Sequence, residues 1–233
     1  MTPRHQLASL RLWLDETPRD GALNMALDEA MLRAADEPWL RVYAWRERSI
    51  SIGFSQPLNV VPAVQESWPL VRRWTGGGAV VHDGDWTYTL AFPAAHEWSV
   101  AQTGDSYRWI HEAFIDALSA CGISGAMLQP VSSSDGIGVC FVEPARHDVM
   151  LDGRKIAGAA QRRTKAGMLH QGSVQLECVP QNLASDFASQ LSRLVKTTSQ
   201  HDAESLLLDQ AMKLVATKYG TQSWLHDRKA AVA

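Results

Sequence analysis

The chain has 233 residues, with 22 lysines and arginines against 25 aspartates and glutamates, which gives a formal net charge of −3. It is 45% apolar and 20% charged, a composition typical of a globular protein that buries a sizeable core. This charge provides no bulk attraction to nucleic acid or to anionic membranes. The sequence also lacks the apolar runs of a signal peptide or a membrane span. Three cysteines are too few for a disulfide framework, which predicts a reducing, cytoplasmic location.

Hydrophobic periodicity and turn signals predict blocks of helices and strands. The first predicted helix covers about 22–35, with Asp20 as its cap, and the second covers 106–120. Two more are predicted at about 181–195 and 202–218. The predicted strands lie at 40–45, 49–54, 71–74, 79–82, 86–92, 139–142, 147–151, 155–161 and 168–176. Because the elements come in blocks, we expect an α+β fold with a mixed, largely antiparallel sheet flanked by helices.

The first segment with chemical information is Arg72-Arg73-Trp74-Thr75-Gly76-Gly77-Gly78-Ala79-Val80-Val81-His82-Asp83. Three consecutive glycines weaken a strand, but they let a ligand approach the main chain because no Cβ is in the way. The N–H groups of such a loop can face an acyl carbonyl or a phosphate, and Arg72 and Arg73 favour an anion. The alternative is a glycine-rich hairpin with solvated arginines, and glycine content alone does not choose between them. The loop lacks the Lys-Ser/Thr ending of a P-loop.

The second segment is Asp152-Gly153-Arg154-Lys155-Ile156-Ala157-Gly158-Ala159-Ala160-Gln161-Arg162-Arg163. Its small residues leave space beside the strand that begins at Lys155. A narrow apolar tunnel with a lysine at its mouth suits a fatty acyl chain whose reactive carbonyl lies at the polar end. The alternative is an exposed strand with a charged turn. The five cations between Arg154 and Lys165 form an acid-free run, and we expect it to steer acidic partners as one cationic rim.

Together with three other stretches, these segments resemble the lipoate–protein ligase and octanoyltransferase superfamily, which shares its fold with biotin–protein ligases. The Asn-Met-Ala-Leu-Asp-Glu stretch at 24–29 is similar to the family's N-terminal helix motif. Residues 43–57 are similar to its first hairpin, and Leu-His-Gln-Gly-Ser at 169–173 is similar to the strand that follows its lysine strand. The matches run in family order across about residues 10–180.

The family attaches a lipoyl or octanoyl group to the ε-amine of one lysine on a small carrier domain. The resemblance implies that Lys155 is catalytic and polarises the acyl carbonyl or stabilises the oxyanion. It also implies an acyl or acyl-adenylate site that is formed by Arg72, Arg73, Gly76, Gly77, Gly78, Ala79, Val80, His82, Ala157, Gly158, His170 and Gly172. His170 is equally open to interpretation as an ordinary strand histidine. No metal site is predicted, because the chain has no CxxC or HExxH spacing.

Two chemistries share this scaffold: ligases activate a free acid with ATP and Mg²⁺, whereas transferases take octanoyl from acyl carrier protein through a cysteine thioester. Cys140 lies 15 residues before Lys155 in a Cys-Phe-x-x-Pro context that resembles the cysteine-using octanoyltransferases of the ligase-like branch. A nearby Lys or His would lower its pKa and make it a nucleophile. The alternative is a buried structural cysteine, and we interpret Cys121 and Cys178 in that way.

Three further features bear on this choice. Little chain follows the last predicted helix near Gly220, so we expect residues 1–233 to form a single catalytic domain without a separate C-terminal accessory domain, as in a transferase. Gly78, where the octanoyltransferase branch usually has Arg, matches the ligase pattern instead. Asp148 either lies near an adenylate, as a ligase carboxylate could, or is a solvent-facing turn residue.

We therefore expect acyl transfer through a Cys140 thioester, without a cofactor, from octanoyl-acyl carrier protein to a lipoyl domain or a glycine cleavage H-type protein. The alternative within the family is an ATP- and Mg²⁺-dependent lipoate–protein ligase that acts through lipoyl-AMP. A non-catalytic acyl- or lipoyl-binding module is an alternative of another class, although the intact glycine loop and Lys155 argue against it. Biotin ligation is also possible on this fold, but Cys140 and the lysine strand favour the lipoyl branch. No nucleic acid or membrane partner is expected.

Overall fold

The computed structural model describes residues 5–60, 67–131 and 144–230. Within them the chain forms eleven strands: β1 (Leu10–Arg19), β2 (Trp39–Trp45), β3 (Ser49–Ile52), β4 (Leu70–Arg72), β5 (Val80–His82), β6 (Trp86–Pro93), β7 (Met127–Leu128), β8 (Val149–Leu151), β9 (Arg154–Thr164), β10 (Gly167–Val174) and β11 (Val195–Thr198). The same residues form six α-helices: α1 (Gly21–Ala34), α2 (Glu97–Val100), α3 (Thr103–Ala120), α4 (Leu183–Leu191), α5 (Gln200–Leu214) and α6 (Gln222–Asp227).

The strands form one large sheet and one small sheet. The large sheet has the order β11-β1-β2-β6-β10-β9-β8-β7, and the small sheet has the order β4-β3-β5. In the large sheet β1 runs parallel to β2 and β11, and the other pairs are antiparallel. The predicted α+β fold with a mixed, largely antiparallel sheet is confirmed.

Two apolar clusters cover the faces of the large sheet. One contains the apolar side of α3, with Ile110 and Phe114, and Phe187 of α4. The other contains Leu27 of α1 and Leu207 of α5. These helices form where apolar residues recur at intervals of three and four, because that spacing places them on one helical face. Two helices therefore pack on each side of the sheet.

A buried group of charges joins α1 to β1 and β2. We call Asp15, Asn24, Asp28 and Arg41 the Arg41 cluster. The Arg41 guanidinium donates to Asp15 Oδ2 at 2.6 Å, to Asp28 Oδ1 at 2.8 Å and to Asn24 Oδ1 at 2.8 Å. All four side chains are buried. Asp20 accepts from the N–H of Leu23 at 2.9 Å and caps α1, as the sequence predicts.

The small sheet departs from the hairpins expected around the glycine loop. β2 lies in the large sheet and β3 in the small one, so residues 43–57 pass from one sheet to the other. β4 and β5, both described in full, pair with β3 and not with each other. All four residues of β3 are buried, which suits a central strand covered on both faces. The glycine loop therefore joins the two outer strands of this sheet.

The C-terminal region also differs from the prediction. α5 ends at Leu214 and continues as a π-helical turn, Val215–Tyr219, and the chain after Gly220 forms α6 instead of a loose tail. The indole N–H of Trp224 donates to the carbonyl of Arg72 at 2.9 Å, which holds α6 against β4. The predicted strand at 139–142 lies outside the described residues. Among the helices that are described, none combines the length and apolar character that crossing a bilayer requires.

Candidate active site

Arg73 shapes the glycine loop from within. Its guanidinium donates to the carbonyl oxygens of Gly76 at 3.0 Å and Gly78 at 2.7 Å, and it also donates to the carbonyl and hydroxyl oxygens of Ser51 at 2.7 and 2.6 Å. Gly77 has φ of +82°, a conformation that L side chains rarely adopt. A Cβ on Gly53 would collide with the carbonyl oxygen of Gly77. Glycine is therefore required where the loop packs against the end of β3.

Arg72 faces away from Arg73 and holds a different set of carbonyl groups. It donates to Gly53 O at 3.0 Å, to Phe54 O at 3.1 Å, to Gln56 O at 2.6 Å and to Leu225 O at 2.7 Å. Both arginines were predicted to favour an anion. In the structure both are buried and fix the main chain around the loop.

Lys155 lies at the start of β9, where it forms a buried ion pair. Its Nζ is 2.7 Å from Asp148 Oδ2, and the two side chains are 2% and 3% exposed. Asp148 Oδ2 also accepts from the N–H of Ala145 at 2.7 Å. Asp148 is therefore a buried partner of the lysine, so of its two interpretations the solvent-facing turn residue is wrong.

Gly158 makes room for this lysine. A Cβ built on Gly158 would lie 2.5 Å from Lys155 Cε and 2.7 Å from its Nζ. The lysine side chain thus folds back along its own strand into space that only glycine leaves. Gly158 of β9 thus both accommodates the Lys155 side chain and lines the cavity described below.

A small cavity of about 30 Å³ lies between β9, β10, α1 and the small sheet. Five of the predicted site residues line it, namely Arg73, Val80, His82, Gly158 and Gly172. Among the described residues, Lys155, Arg72, Gly76, Gly77, Gly78, Ala79, Ala157 and His170 are not part of this lining. Lys155 instead lines a larger, open cleft of about 1040 Å³. The lining residues that the sequence analysis did not single out for the site are Met25, Tyr43, Trp45, Ser51, Thr87, Ala159, Ala160, Gln171 and Ser173.

The alternation of side chains along β9 explains why Ala157 and Gly158, which are neighbours in sequence, face opposite sides of the sheet. In the β9–β10 pair, Gly158 lies opposite Ser173 and both face the cavity. Ala157 lies opposite Val174, and both belong to the apolar cluster under α3. Motif matching treated Ala157 and Gly158 as one wall, whereas successive strand residues point to opposite faces.

His170 occupies the face of β10 that is turned toward α3. Its ring nitrogens lie 3.1 Å from Gln161 Nε2 and 3.2 Å from the Tyr88 hydroxyl. Burial lowers the pKa of His170 well below its ordinary value, so the ring is neutral. Its surroundings are those of a satisfied strand histidine.

Ser51, His82 and Asp85 form a hydrogen-bonded chain, of which Ser51 and His82 line the cavity. His82 Nε2 is 2.7 Å from Ser51 Oγ, and Nδ1 is 2.9 Å from Asp85 Oδ2. The imidazole stacks on Trp45 with ring centroids 3.7 Å apart. The strict serine–isoleucine alternation in β3 was the available signal for Ser51, because it places two serines on one buried face. Asp85 follows a turn and carried no such signal.

The charges of this chain follow from burial and hydrogen bonding. Burial lowers the pKa of His82, although the nearby Asp85 opposes this. For Asp85, burial alone would raise the pKa, but hydrogen bonds from His82, Ser173 and Thr87 hold it below its ordinary value. At neutral pH the site therefore contains an ionised Asp85 and a neutral His82.

The expected cationic rim of residues 154–165 is divided by the pleat of β9. Lys155 is buried in its ion pair, and Arg163 donates to the carbonyl of Trp98 at 3.3 Å and to the hydroxyl of Ser106 at 2.8 Å. Arg154 and Lys165 are exposed at opposite ends of the eleven-residue strand. These cations cannot act as one continuous surface.

Cys140, the predicted nucleophile, lies outside the described residues. Within the described ranges, no three His, Cys, Asp or Glu side chains are grouped so that they could hold a metal ion. Cys121 and Cys178 both carry free thiols.

The overall fold is that of lipoate protein ligases. It matches the crystal structure of lipoate-protein ligase A bound with ATP with a TM-score of 0.68 and 23% identity, covering 94% of this chain and 98% of that chain. Protein Ta0514 of T. acidophilum, described as a lipoate protein ligase and solved with bound lipoic acid, matches with a TM-score of 0.70 and 23% identity, covering 95% and 98%.

Residues 20–217 match the model of the lipoyl protein ligase A/B catalytic domain, and the chain belongs to that family. The octanoyltransferase LipM of Oceanobacillus iheyensis is 34% identical over 172 residues, covering 70% of this chain and 63% of LipM. The Bacillus subtilis LipM is 31% identical over 180 residues, covering 71% and 65%. The matched region thus spans less than two thirds of the length of these relatives. The family predicted from the motifs is confirmed.

Proposed function

We propose that this protein transfers an octanoyl group from a carrier-bound thioester to a lysine of a lipoyl domain. The observation that carries the proposal is the Lys155 ammonium, held by Asp148 in space that Gly158 leaves beside the cavity. Similarity to the LipM octanoyltransferases supports this reaction over ATP-dependent ligation.

In the proposed first step, the Cys140 thiolate attacks the octanoyl thioester carbonyl and forms an acyl-enzyme. The fixed Lys155 ammonium stabilises the oxyanion that develops on that carbonyl. Only four residues separate Cys140 from Ala145, whose N–H donates to Asp148 beside the lysine. In the second step, the amine of the acceptor lysine attacks the acyl-enzyme and releases the thiol.

The acyl chain would bind in the cavity lined by Arg73, Val80, His82, Gly158 and Gly172. The cavity is small, at about 30 Å³, and we expect side chains to move when an octanoyl chain enters. Met25 is suited to this because its flexible thioether forms part of the wall.

The proposed reaction uses no cofactor. We propose that it takes place in the cytoplasm, and the free thiols of Cys121 and Cys178 support this location. The proposed donor is octanoyl-acyl carrier protein, and the proposed acceptor is a lipoyl domain or a glycine cleavage H-type protein. Residues 1–233 would act as one catalytic domain.

The test is to incubate the protein with octanoyl-acyl carrier protein, without ATP, and to measure its intact mass. We expect one octanoyl adduct on the wild type, none on Cys140→Ala, and an unchanged adduct on the control Cys178→Ala. An adduct that survives Cys140→Ala, or its absence from the wild type, would contradict the mechanism. Release of pyrophosphate that depends on both ATP and free lipoate would establish the ligase instead. Binding of the acyl carrier without turnover in either assay would indicate a non-catalytic module.

A further inference from the structure

We propose that Ser51 and His82, with Asp85 behind them, form a proton relay that accepts the proton of the attacking lysine amine during octanoyl transfer. The proposal rests on the proposed function and assigns its second step to residues on β3 and β5. His82 was predicted as an acyl-binding residue, and neither Ser51 nor Asp85 was predicted to take part.

The directions of the hydrogen bonds define the relay. Arg73 Nη1 donates to Ser51 Oγ at 2.6 Å, so the hydroxyl hydrogen of Ser51 points to His82 Nε2 at 2.7 Å. His82 Nε2 is then an acceptor, and Nδ1 carries the hydrogen that is donated to Asp85 Oδ2 at 2.9 Å. The order hydroxyl, imidazole, carboxylate is that of the serine hydrolases, in which the carboxylate stabilises the imidazolium that forms.

The relay lies beside the proposed oxyanion site. Ser173 lies directly opposite Gly158 on the antiparallel pair, where facing side chains begin about 4.5–5.5 Å apart. The Ser173 hydroxyl donates to Asp85 Oδ2 at 2.5 Å, and the ammonium of Lys155 fills the side-chain space of Gly158. The Asp85 end of the relay therefore meets the sheet at Ser173, directly opposite the space at Gly158 that the Lys155 ammonium fills.

Ser51 and His82 both line the cavity that would hold the acyl group. The charged groups that face His82 are Asp85 and Arg73. Arg73 disfavours a protonated imidazole in the resting site, and Asp85 stabilises the imidazolium once a proton arrives. Trp45 stacks on the ring and keeps its orientation.

In the proposed step, one bond to the carbonyl carbon forms and the bond to sulfur breaks. The neutral amine nitrogen forms a bond to the thioester carbonyl carbon, and the carbonyl electrons move to the oxygen beside Lys155. The nitrogen, now cationic, gives one proton to Ser51 Oγ while the Ser51 proton passes to His82 Nε2. When the C–S bond breaks, the cysteine sulfur leaves with its electron pair. The proton held on His82 returns through Ser51 to that sulfur, so the products are an amide and a thiol.

The experiment isolates the second step. Wild type, His82→Gln and Ser51→Ala are incubated with octanoyl-acyl carrier protein until their masses stop changing, so a slower acylation does not affect the result. Each acyl-enzyme is then mixed with an excess of a lipoyl domain or with hydroxylamine, and the loss of the adduct is followed. Hydroxylamine is a stronger nucleophile and a weaker base than a lysine amine, so the cationic nitrogen of its adduct loses a proton more readily and its reaction depends less on a base. His201→Gln and Ser189→Ala are matched controls on exposed faces of α5 and α4.

We expect both relay variants to transfer octanoyl to the lipoyl domain about 10²-fold more slowly, with a reaction with hydroxylamine within about 3-fold of wild type and no change in the controls. An equal fall in the rates with the lipoyl domain and with hydroxylamine would overturn the relay, because a purely structural role affects both reactions alike. Unchanged rates with both nucleophiles would also overturn it. A selective loss in His82→Gln alone would remove Ser51 from the relay, and one in Ser51→Ala alone would remove His82. Failure of the wild type to form any adduct would contradict the proposed function instead, so the two failures are distinguishable.

Discussion

Two buried groups of charges in this protein, the Arg41 cluster and the Lys155–Asp148 pair, are built differently, and we propose different tasks for them. In the Arg41 cluster, a planar guanidinium is held by carboxylates of α1 and β1 and by a main-chain carbonyl of Asn24. At the Lys155–Asp148 pair, a compact ammonium lies in space that a glycine leaves beside the cavity. The first arrangement joins three elements of the fold, whereas the second presents a point charge where a carbonyl group could approach.

The difference shows that burial and charge alone do not identify a site. Arg72, Arg73 and Arg41 are all buried, and all three hold oxygens that belong to the protein. The identity of the cation is informative, because a guanidinium matches several fixed acceptors and an ammonium acts as a single positive point. What distinguishes Lys155 is the neighbouring glycine and the cavity.

The largest effect on stability is expected at the Arg41 cluster. Arg41→Met leaves Asp28 buried without its cation and leaves Asp15 paired with Arg19 alone, which should lower the free energy of unfolding by about 3–5 kcal/mol. Urea denaturation measures this change. The control Arg48→Met removes an exposed pair with Asp83, whose side chains are 67% and 47% exposed, and it should change stability by less than about 1 kcal/mol. Equal losses of stability in Arg41→Met and Arg48→Met would show that the Arg41 cluster stabilises the fold no more than an exposed ion pair does.

At the Lys155–Asp148 pair, the main effect of a substitution is expected on activity. Lys155→Gln removes the charge that would stabilise the oxyanion, so octanoyl transfer to a lipoyl domain should fall about 10²–10³-fold. Initial rates at saturating donor measure the loss, and Lys165→Gln, exposed at the far end of β9, should retain wild-type rates. If Lys155→Gln transfers octanoyl at the wild-type rate, the pair is structural, like the Arg41 cluster.

A smaller effect on activity is expected when the Lys155 ammonium is displaced but keeps its charge. Gly158→Ala places a methyl group 2.7 Å from Lys155 Nζ, and the flexible lysine must shift while the sheet stays in place. We expect about 10²-fold slower transfer at most, with a urea midpoint near that of wild type. Gly104→Ala, where the new Cβ would have its nearest neighbour at 3.9 Å, is the matched control. A full rate in Gly158→Ala would show that the position of the ammonium does not matter.

The smallest effect is expected on the pH dependence of stability, at the buried and neutral His170. Burial lowers the pKa of His170 well below its ordinary 6.5, so below about pH 6.5 the unfolded chain takes up a proton that the folded chain does not. Stability should therefore fall as the pH decreases from about 6.5, and His170→Asn should reduce this slope by up to about 1.4 kcal/mol per pH unit. Urea denaturation between pH 5 and 7 measures it. An unchanged slope in His170→Asn would contradict a neutral His170.

The sequence was sufficient for α1, α3, α4, α5 and the lysine strand, because these depend on local patterns, whereas the short helices α2 and α6 were not predicted. α1 and α3 follow apolar spacing, and the small residues of β9 are contiguous. The partners of the key groups could not be predicted in this way. Asp85 meets Ser173 from 88 positions away, and the pairing of β1 with β11 joins Leu10 to Val195. Such contacts depend on the order and pleat of the strands, which local patterns do not determine.

The contact of α6 with β4 has a consequence for the order of folding. Arg72 donates to Leu225 and accepts from Trp224, and these hydrogen bonds span 153 and 152 positions of the chain. During synthesis the chain is made from the N-terminal end and domains fold as units. The strand that leads into the glycine loop can therefore reach its final set of hydrogen bonds only after residues near 225 have left the ribosome. A nascent chain that is halted before that point would contain Lys155 and the whole loop, yet it would lack these two hydrogen bonds at the strand that leads into the loop.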